Sequence, residues 1–181
     1  MKNKAFTLIE VLVVIGILAV IMSLLFPVLA AYFQTARIQR AEGQLALLEA
    51  GIAQYHSRHG DYPPSAGDGE NAGIESLVHH LLHSEGGPFV SPRQIRDWLG
   101  DTDGDGADEV LDPWGNPWIY FHHSSYAAED VYYMIDGQRV NVEAGKSGGR
   151  YVNPTSYQIW SCGPNEVNQS GHDEDIGNLR R

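Results

Sequence analysis

Carboxylates recur at alternate positions in one short stretch of the chain. The acidic residues of this stretch that could bind a metal are Asp101, Asp103, Asp105 and Asp112. Alternate side chains of a tight loop converge on a hard cation, and Gly106 would permit the sharp turn that such a loop needs. Ala107 would add its backbone carbonyl as a further ligand. The spacing therefore predicts a calcium loop, and the alternative is a solvated acidic turn.

The end of this stretch limits the kind of calcium loop that it can form. Asp112 stands where an EF-hand loop usually has a bidentate glutamate, and Pro113 follows it. A long helix cannot continue directly through a proline. A complete EF-hand is therefore excluded, although so many neighbouring carboxylates still repel one another unless a cation or water screens them.

Histidines are a second possible source of metal ligands. The chain has eight, among them His79, His80, His83, His122 and His123. His79 and His83 would share one helical face and could bind one zinc ion. The sequence fixes no third ligand for them, and exposed helical histidines are usually solvated. No nucleophile elbow, phosphate-binding glycine loop or zinc-hydrolase motif is present, so we do not expect an enzyme.

The beginning of the chain carries one carboxylate next to a long apolar run. Glu10 precedes 23 uncharged residues, from Val11 to Phe33. As a helix this run would reach about 34 Å, which is enough to cross a hydrocarbon core of about 30 Å. A carboxylate near the middle of a bilayer costs about 2.5 to 3.5 kcal/mol on insertion scales. Glu10 therefore needs an interaction that offsets this cost.

This N-terminus resembles that of type IV pilins and of the pseudopilins of type II secretion. The matching residues are Lys4-Ala5-Phe6-Thr7-Leu8-Ile9-Glu10. The resemblance implies that a prepilin peptidase cuts between Ala5 and Phe6, that Phe6 is then methylated, and that Glu10 assists filament assembly. Ala5 replaces the glycine that more often precedes the cut. Pro27 stands where pilins usually carry a helix-kinking proline.

Electrostatics gives a reason for the role of Glu10. The new amino group of Phe6 would be cationic, and in a filament it could approach Glu10 of a neighbouring subunit, which favours assembly over the isolated subunit. The alternative is an ordinary signal peptide or signal anchor. A secretory signal peptide has an apolar core of about 7 to 15 residues, and this run is much longer.

Two later segments resemble the major pseudopilin of type II secretion systems. One is the turn Asp112-Pro113-Trp114-Gly115-Asn116-Pro117, in which Trp114 is best interpreted as a packing anchor. The other is the C-terminal segment before Ile176-Gly177-Asn178, where the family has a calcium-binding loop.

The resemblance implies a ligand set for this C-terminal calcium. The set comprises the carbonyl of Cys162 and the side chains of Asn165, Glu174 and Asp175. Three features depart from the family pattern: Asn165 replaces an aspartate, the intervening loop is longer, and Leu179 replaces a terminal tryptophan.

Composition restricts the partners and the location of the chain. The formal net charge is −11, which argues against a nucleic-acid-binding surface. Lys2 and Lys4 precede the apolar run, so the positive-inside rule puts the short N-terminus in the cytoplasm and the C-terminal domain outside it. The resemblance implies that this outer compartment is the periplasm. Cys162 is the single cysteine, so no intrachain disulfide is possible and a metal ion could serve as the staple instead.

Periodicity predicts the elements that position these residues. An apolar stripe of Ala41, Leu45, Leu48, Ile52 and Tyr55 indicates an amphipathic helix. The polar residues between them, which should meet solvent or a neighbouring subunit, are Glu42, Gln44, Glu49 and Gln54. Gly60 would end this helix.

Shorter elements should follow. We expect helices at about 74–83 and 92–99, and strands at 118–121, 131–135 and 157–161 that form one small antiparallel sheet. Asp136-Gly137 indicates a turn.

We therefore predict an α+β, pilin-like fold in which a long N-terminal membrane-spanning helix packs on a small head with a short antiparallel sheet and calcium-binding loops. Residues 1–5 would be the leader, 6–35 the membrane and filament-core half of the helix, 36–60 its amphipathic half and 61–181 the head. The resemblance implies a structural subunit of a type II secretion pseudopilus. Its partners would be copies of itself, other pseudopilins, the prepilin peptidase and the inner-membrane assembly platform.

Two alternatives stay open. A type IV pilus pilin would serve adhesion, motility or DNA uptake, but the chain lacks the C-terminal disulfide pair of such pilins. A membrane-anchored enzyme or a calcium-dependent carbohydrate-binding module is the other, and a glycan array would test the latter.

Overall fold

The computed structural model describes residues 8–65 and 69–179. The chain divides into two compact units, Met1–Ala36 and Arg37–Arg181. Helix α1, Leu8–His59, begins in the first unit and ends in the second. Ala5 and Phe6, the predicted cleavage site, lie outside the described residues.

The first unit exposes an apolar helix surface. Its large apolar side chains, from Leu8 to Phe33, are between 48% and 83% exposed. Pro27 lies inside the helix and does not end it, as predicted. An apolar surface of this extent needs lipid or other apolar helices around it.

The part of α1 in the second unit is amphipathic. Ala41, Leu48, Ile52 and Tyr55 are buried, and Leu45 is half-buried. These positions match the predicted stripe, because residues three and four apart lie on one face of a helix.

Gln44 corrects the sequence prediction, which placed it in solvent or against a neighbouring subunit. Its side chain is buried: Nε2 donates to the carbonyl of Leu111 at 3.1 Å, and Oε1 accepts from Trp118 Nε1 at 3.2 Å. A buried amide is stable only when both of its ends are hydrogen-bonded, and here they are.

The helix ends where glycine permits a left-handed residue. Gly60 has φ +80° and its N–H donates to the carbonyl of His56 at 2.8 Å, which confirms the predicted stop. Helix α2 spans Ala72–His83. Helix α3 covers Pro92–Ile95 and passes into a 3-10 turn, Arg96–Trp98. It is shorter than predicted because the chain then enters a strand.

Nine short strands are found in the part of the chain that the structure describes. They are β1 Leu99–Gly100, β2 Glu109–Val110, β3 Ile119–His122, β4 Asp130–Tyr133, β5 Arg139–Val142, β6 Lys146–Ser147, β7 Arg150–Tyr151, β8 Tyr157–Ser161 and β9 Ile176–Gly177.

The predicted three-stranded sheet exists, but with one different member. Strands β3 and β8 pair antiparallel, and β9 is the third strand. Strand β4 pairs instead with β5, across the turn at Asp136-Gly137. This correction has a local cause: a tight turn brings β4 and β5 together directly, whereas joining β3 requires a longer connection.

One hydrophobic core supports both candidate metal loops. Its largest fully buried side chains include Trp118, Tyr120, Tyr132 and Trp160. The core also contains the buried stripe of α1 and the apolar face of α2. Strand β8 leads from this core into the C-terminal segment. The acidic stretch begins after β1 and ends at β2.

Candidate functional site

The acidic loop, residues 101–109, connects β1 to β2 and enters the latter at Glu109. Its acids shape its backbone: Asp101 accepts from the N–H groups of Gly104 at 2.7 Å and Gly106 at 3.1 Å. Asp105 accepts from the N–H of Ala107 at 2.7 Å. Gly104 and Gly106 have φ of +83° and +96°, a left-handed conformation that glycine adopts without steric cost. The predicted sharp turn at Gly106 is therefore present.

Carboxylates converge on this loop in two overlapping groups. One oxygen each from Asp101, Asp103 and Glu109 lies within 4.8 Å of the others. The same holds for Glu75, Asp103 and Asp105. Asp103 belongs to both groups, and burial, with Asp105 and Asp101 nearby, raises its pKa.

Glu109 is the buried member of the first group. Its oxygens accept from Asn71 Nδ2 at 2.7 Å and from the Thr102 N–H at 3.0 Å. Burial nevertheless raises its pKa. Sequence reasoning overlooked Glu109, although it occupies the ninth position of the loop, where calcium loops often place a ligand.

Glu75 reaches the loop from helix α2. Burial, followed by the charges of Asp105 and Asp103, raises its pKa to about 7. Its Oε1 is buried and has no hydrogen-bond partner among the described residues. The sequence could not reveal this residue as a candidate, because only the tertiary packing of α2 brings it to the loop.

Asp112, the predicted last ligand, lies outside both groups. Its Oδ1 accepts from the N–H groups of Trp114 at 2.9 Å and Asn116 at 3.0 Å, and its Oδ2 accepts from Ser161 Oγ at 2.5 Å. Burial raises its pKa. In this structure Asp112 builds the turn before β3 and ties it to β8.

The donor set of the acidic loop suits a hard cation. All members of both groups offer carboxylate oxygens, which calcium prefers. A buried carboxylate oxygen without a partner and several facing acids are features that a bound cation would satisfy. These clusters could therefore hold a metal ion. The use of the Ala107 carbonyl as a further ligand stays a prediction.

The C-terminal loop, residues 162–175, places its candidate ligands differently. Asp175 is fully buried, and its Oδ2 accepts from the N–H groups of Gln169 at 2.9 Å and Gly171 at 2.8 Å. Asn165 and Glu174 are exposed. Among the described residues, no group of three metal-binding side chains includes Glu174 or Asp175. The predicted use of the Cys162 carbonyl and Asn165 as ligands is untested.

The thiol of Cys162 is buried in the core. Burial, with Asp175 and Asp112 nearby, raises its pKa well above the usual range. A thiol that resists ionisation is a poor nucleophile, which supports the interpretation of Cys162 as a small apolar residue.

The histidines of α2 form a pair only. The rings of His79 and His83 stack with centroids 5.3 Å apart, as their helical spacing predicts. No third metal-binding side chain joins them in the described ranges.

The apolar helix is a second functional feature. Within residues 8–65 and 69–179, α1 is the one helix long and apolar enough to cross a membrane. Glu10 lies in its first turn.

Comparison with known proteins decides the family. Residues 1–26 match the family model described as the prokaryotic N-terminal methylation motif. The chain is 30% identical over 140 residues to type II secretion system core protein G of Aeromonas hydrophila, covering 76% of this chain and 86% of that protein. It is 30% identical over 132 residues to the protein of the same name from Escherichia coli strain K12, covering 72% and 79%.

The chain belongs to the type II secretion system core protein G family. The protein of that name from Pseudomonas aeruginosa is also similar, at 28% identity over 138 residues, covering 76% of this chain and 87% of that protein. No solved structure matches the chain.

Membership in the core protein G family confirms the predicted resemblance to pseudopilins. It also disfavours the type IV pilin alternative, since these relatives are named as secretion system proteins. The methylation motif covers Phe6 and Glu10, so the predicted processing and assembly residues fall within the matched range.

Proposed function

We propose that the chain is a structural subunit that polymerises into a type II secretion pseudopilus and helps to export folded proteins across the outer membrane. Its family membership carries this proposal. In this role it does no covalent chemistry of its own. Its partners are copies of itself, other pseudopilins and an inner-membrane assembly platform, and it does not bind nucleic acid.

Before assembly, the subunit resides in the bacterial inner membrane with its head, residues 61–181, in the periplasm. Lys2 and Lys4 support this orientation by the positive-inside rule. The prepilin peptidase cuts between Ala5 and Phe6 and methylates Phe6, a step supported by the N-terminal methylation motif.

Assembly transfers the apolar helix from lipid to neighbouring helices. The exposed side chains between Leu8 and Phe33 can be covered in either setting, so burial alone does not favour the filament. Glu10 supplies the preference, because its carboxylate can pair with the amino group of Phe6 on the next subunit. Pairing two charges in an apolar medium lowers the cost of keeping each there.

Calcium is the proposed cofactor of the second unit. The acidic loop would bind it through the carboxylates of Asp101, Asp103, Asp105 and Glu109, with Glu75 from α2. The convergence of these groups and the buried Oε1 of Glu75 support this site. The family resemblance also implies a calcium at the C-terminal loop, but the geometry favours the acidic loop, because no group of three metal-binding side chains among the described residues includes Glu174 or Asp175. An ion in the acidic loop would stabilise the folded chain, because it binds the native state preferentially.

The assembly proposal is tested with a Glu10→Ala variant expressed with the remaining secretion genes. We expect cleavage and methylation at Phe6, read by mass spectrometry of the intact chain, to persist while filaments and export of secreted proteins are lost. Ser23→Ala is the matched control, because it removes another polar group from the same apolar segment. Its hydroxyl donates to the carbonyl of Val20 in the same helix, at 2.8 Å, so this variant should assemble normally.

Two results would contradict the proposal. Normal filaments from Glu10→Ala would exclude charge pairing as the driving interaction. A native chain trimmed beyond Val11 would remove the apolar helix and with it the filament role.

A further inference from the structure

A histidine and aspartate cluster joins the end of α1 to the end of β3. Asp61 follows the glycine that ends α1, His122 is the last residue of β3, and His123 begins the next 3-10 turn. We propose that these three residues form a binding site for a divalent transition metal of the zinc class. The site is separate from the acidic loop and goes beyond the proposed function.

The distances suit a zinc ion. His122 Nε2 lies 3.2 Å and His123 Nε2 3.7 Å from Asp61 Oδ1. One ligand atom of each of the three residues lies within 4.8 Å of the other two. Zinc bonds of about 2.0 to 2.1 Å in a tetrahedron place ligand atoms about 3.3 Å apart. Small side-chain rotations would therefore complete the arrangement.

The ring of His122 is held in place from its other nitrogen. Nδ1 lies 2.8 Å from Ser124 Oγ, and the side chain is almost fully buried. The backbone N–H of His122 also donates to Ser65 Oγ at 2.9 Å. Nδ1 also accepts from the Ser124 N–H at 3.3 Å, so without a metal the ring proton lies on Nε2 and faces Asp61. A metal bound at Nε2 would replace this proton, and Nδ1 would then be protonated and donate to Ser124 Oγ. Such a partner on the second nitrogen is the usual support of a metal-binding histidine.

The chemistry of the donors separates this cluster from the acidic loop. Two imidazole nitrogens and one carboxylate suit zinc and similar ions, whereas calcium prefers oxygen ligands. Asp61 is 64% exposed and His123 34% exposed, so a water molecule can reach the fourth position.

A bound metal would link two segments that are distant in sequence. Asp61 and His122 are 61 residues apart, and their contact fixes the exit of α1 against the sheet. An ion held by both segments would stabilise the folded chain by mass action.

The test uses the full chain in detergent micelles, without a polyhistidine tag. Zinc is titrated in competition with a chromophoric chelator, and unfolding is followed with and without zinc. We expect one zinc per chain at this site and a higher melting temperature. Asp61→Asn and His123→Ala should each weaken binding by about tenfold or more and remove the thermal shift. Both residues are partly exposed, so these variants should fold.

The matched control is the double variant His79→Ala, His83→Ala, which removes the histidine pair of α2 but leaves the cluster intact. It should bind zinc as the unaltered chain does. Cobalt in place of zinc should give the strong visible absorption of a four-coordinate ion, which Asp61→Asn should abolish.

Three outcomes would overturn the proposal. They are no saturable zinc binding at all, loss of binding in the α2 control with retention in His123→Ala, or displacement of the zinc by an equal concentration of calcium.

Discussion

The acidic loop and the C-terminal loop contain the same kind of residue in different electrostatic settings. In the C-terminal loop one oxygen of the buried Asp175, Oδ2, accepts from two backbone N–H groups. In the acidic loop Asp103 faces further carboxylates on both sides. The number of acids in a loop therefore says little about its need for a cation. What differs is the surroundings of each acid: Asp103 has other carboxylates within reach, whereas no group of three metal-binding side chains among the described residues includes Asp175.

The largest effect should come from removing Asp175, whose Oδ2 accepts two backbone hydrogen bonds. Asp175→Ala leaves the N–H groups of Gln169 and Gly171 without their acceptor. Since each such loss costs about 1 to 3 kcal/mol, we expect the free energy of unfolding to fall by about 3 kcal/mol. Urea unfolding of the full chain in micelles measures it, in chelator and in calcium.

If the comparison is right, the loss in Asp175→Ala is nearly the same in both media. A loss seen only with calcium present would mean that Asp175 acts as a ligand, as the family resemblance implies, and not through its backbone contacts.

The second prediction locates the calcium response. At about 100 times its dissociation constant, an ion bound only by the native state adds about 2.7 kcal/mol. We expect Asp103→Asn to lose most of this stabilisation, because Asp103 belongs to both carboxylate groups. Glu174→Gln, an equally conservative change in the C-terminal loop, should keep most of it. Melting temperatures with and without calcium are the measurement.

The opposite pattern would move the site. If Glu174→Gln abolished the response and Asp103→Asn retained it, calcium would bind at the C-terminal loop and the acidic loop would be a solvated turn. If the melting temperature changed with neither calcium nor chelator, the chain would bind calcium at neither loop.

Local patterns predicted much of this structure, and long-range packing accounts for the misses. The stop of α1 at Gly60 and the turn at Asp136-Gly137 depend on neighbouring residues only, and both were predictable. Gln44 is buried because Leu111 and Trp118, far away in sequence, satisfy its amide. Its position between apolar residues could not reveal these partners.

For the candidate site, too, local patterns predicted some residues and long-range packing brought in the others. Alternating acids predicted Asp101, Asp103 and Asp105, which the structure does bring into the two carboxylate groups. Glu75 joins these groups only through the tertiary packing of α2. Asp112 lies outside both groups, because its oxygens accept hydrogen bonds from Ser161 and from the turn that follows Asp112. Asp61 meets His122 by tertiary contact alone.

The third prediction compares the backbone of the two loops. Gly106 has φ +96° and open space where a Cβ would lie, so Gly106→Ala should cost about 1 to 2 kcal/mol through conformation alone. Gly163 has φ +68°, and a Cβ there would collide with the carbonyl oxygen of Glu174. We expect Gly163→Ala to cost more than Gly106→Ala in the same urea titration. Equal costs would mean that the C-terminal loop is as open as the acidic loop.

The smallest expected effect is the change in stability caused by Glu75→Gln, and its sign should reverse when calcium is added. At pH 8 this half-buried carboxylate is ionised beside Asp103 and Asp105, and its buried Oε1 has no hydrogen-bond partner among the described residues. In chelator, Glu75→Gln removes the repulsion and should stabilise the chain by about 1 kcal/mol, allowing for screening by solvent. In calcium the same change removes a ligand and should destabilise it. Glu42→Gln, on the exposed side of α1, is the control and should do neither. A Glu75→Gln variant that shifts stability equally in both media would show that its charge is not opposed by a cation in the native chain.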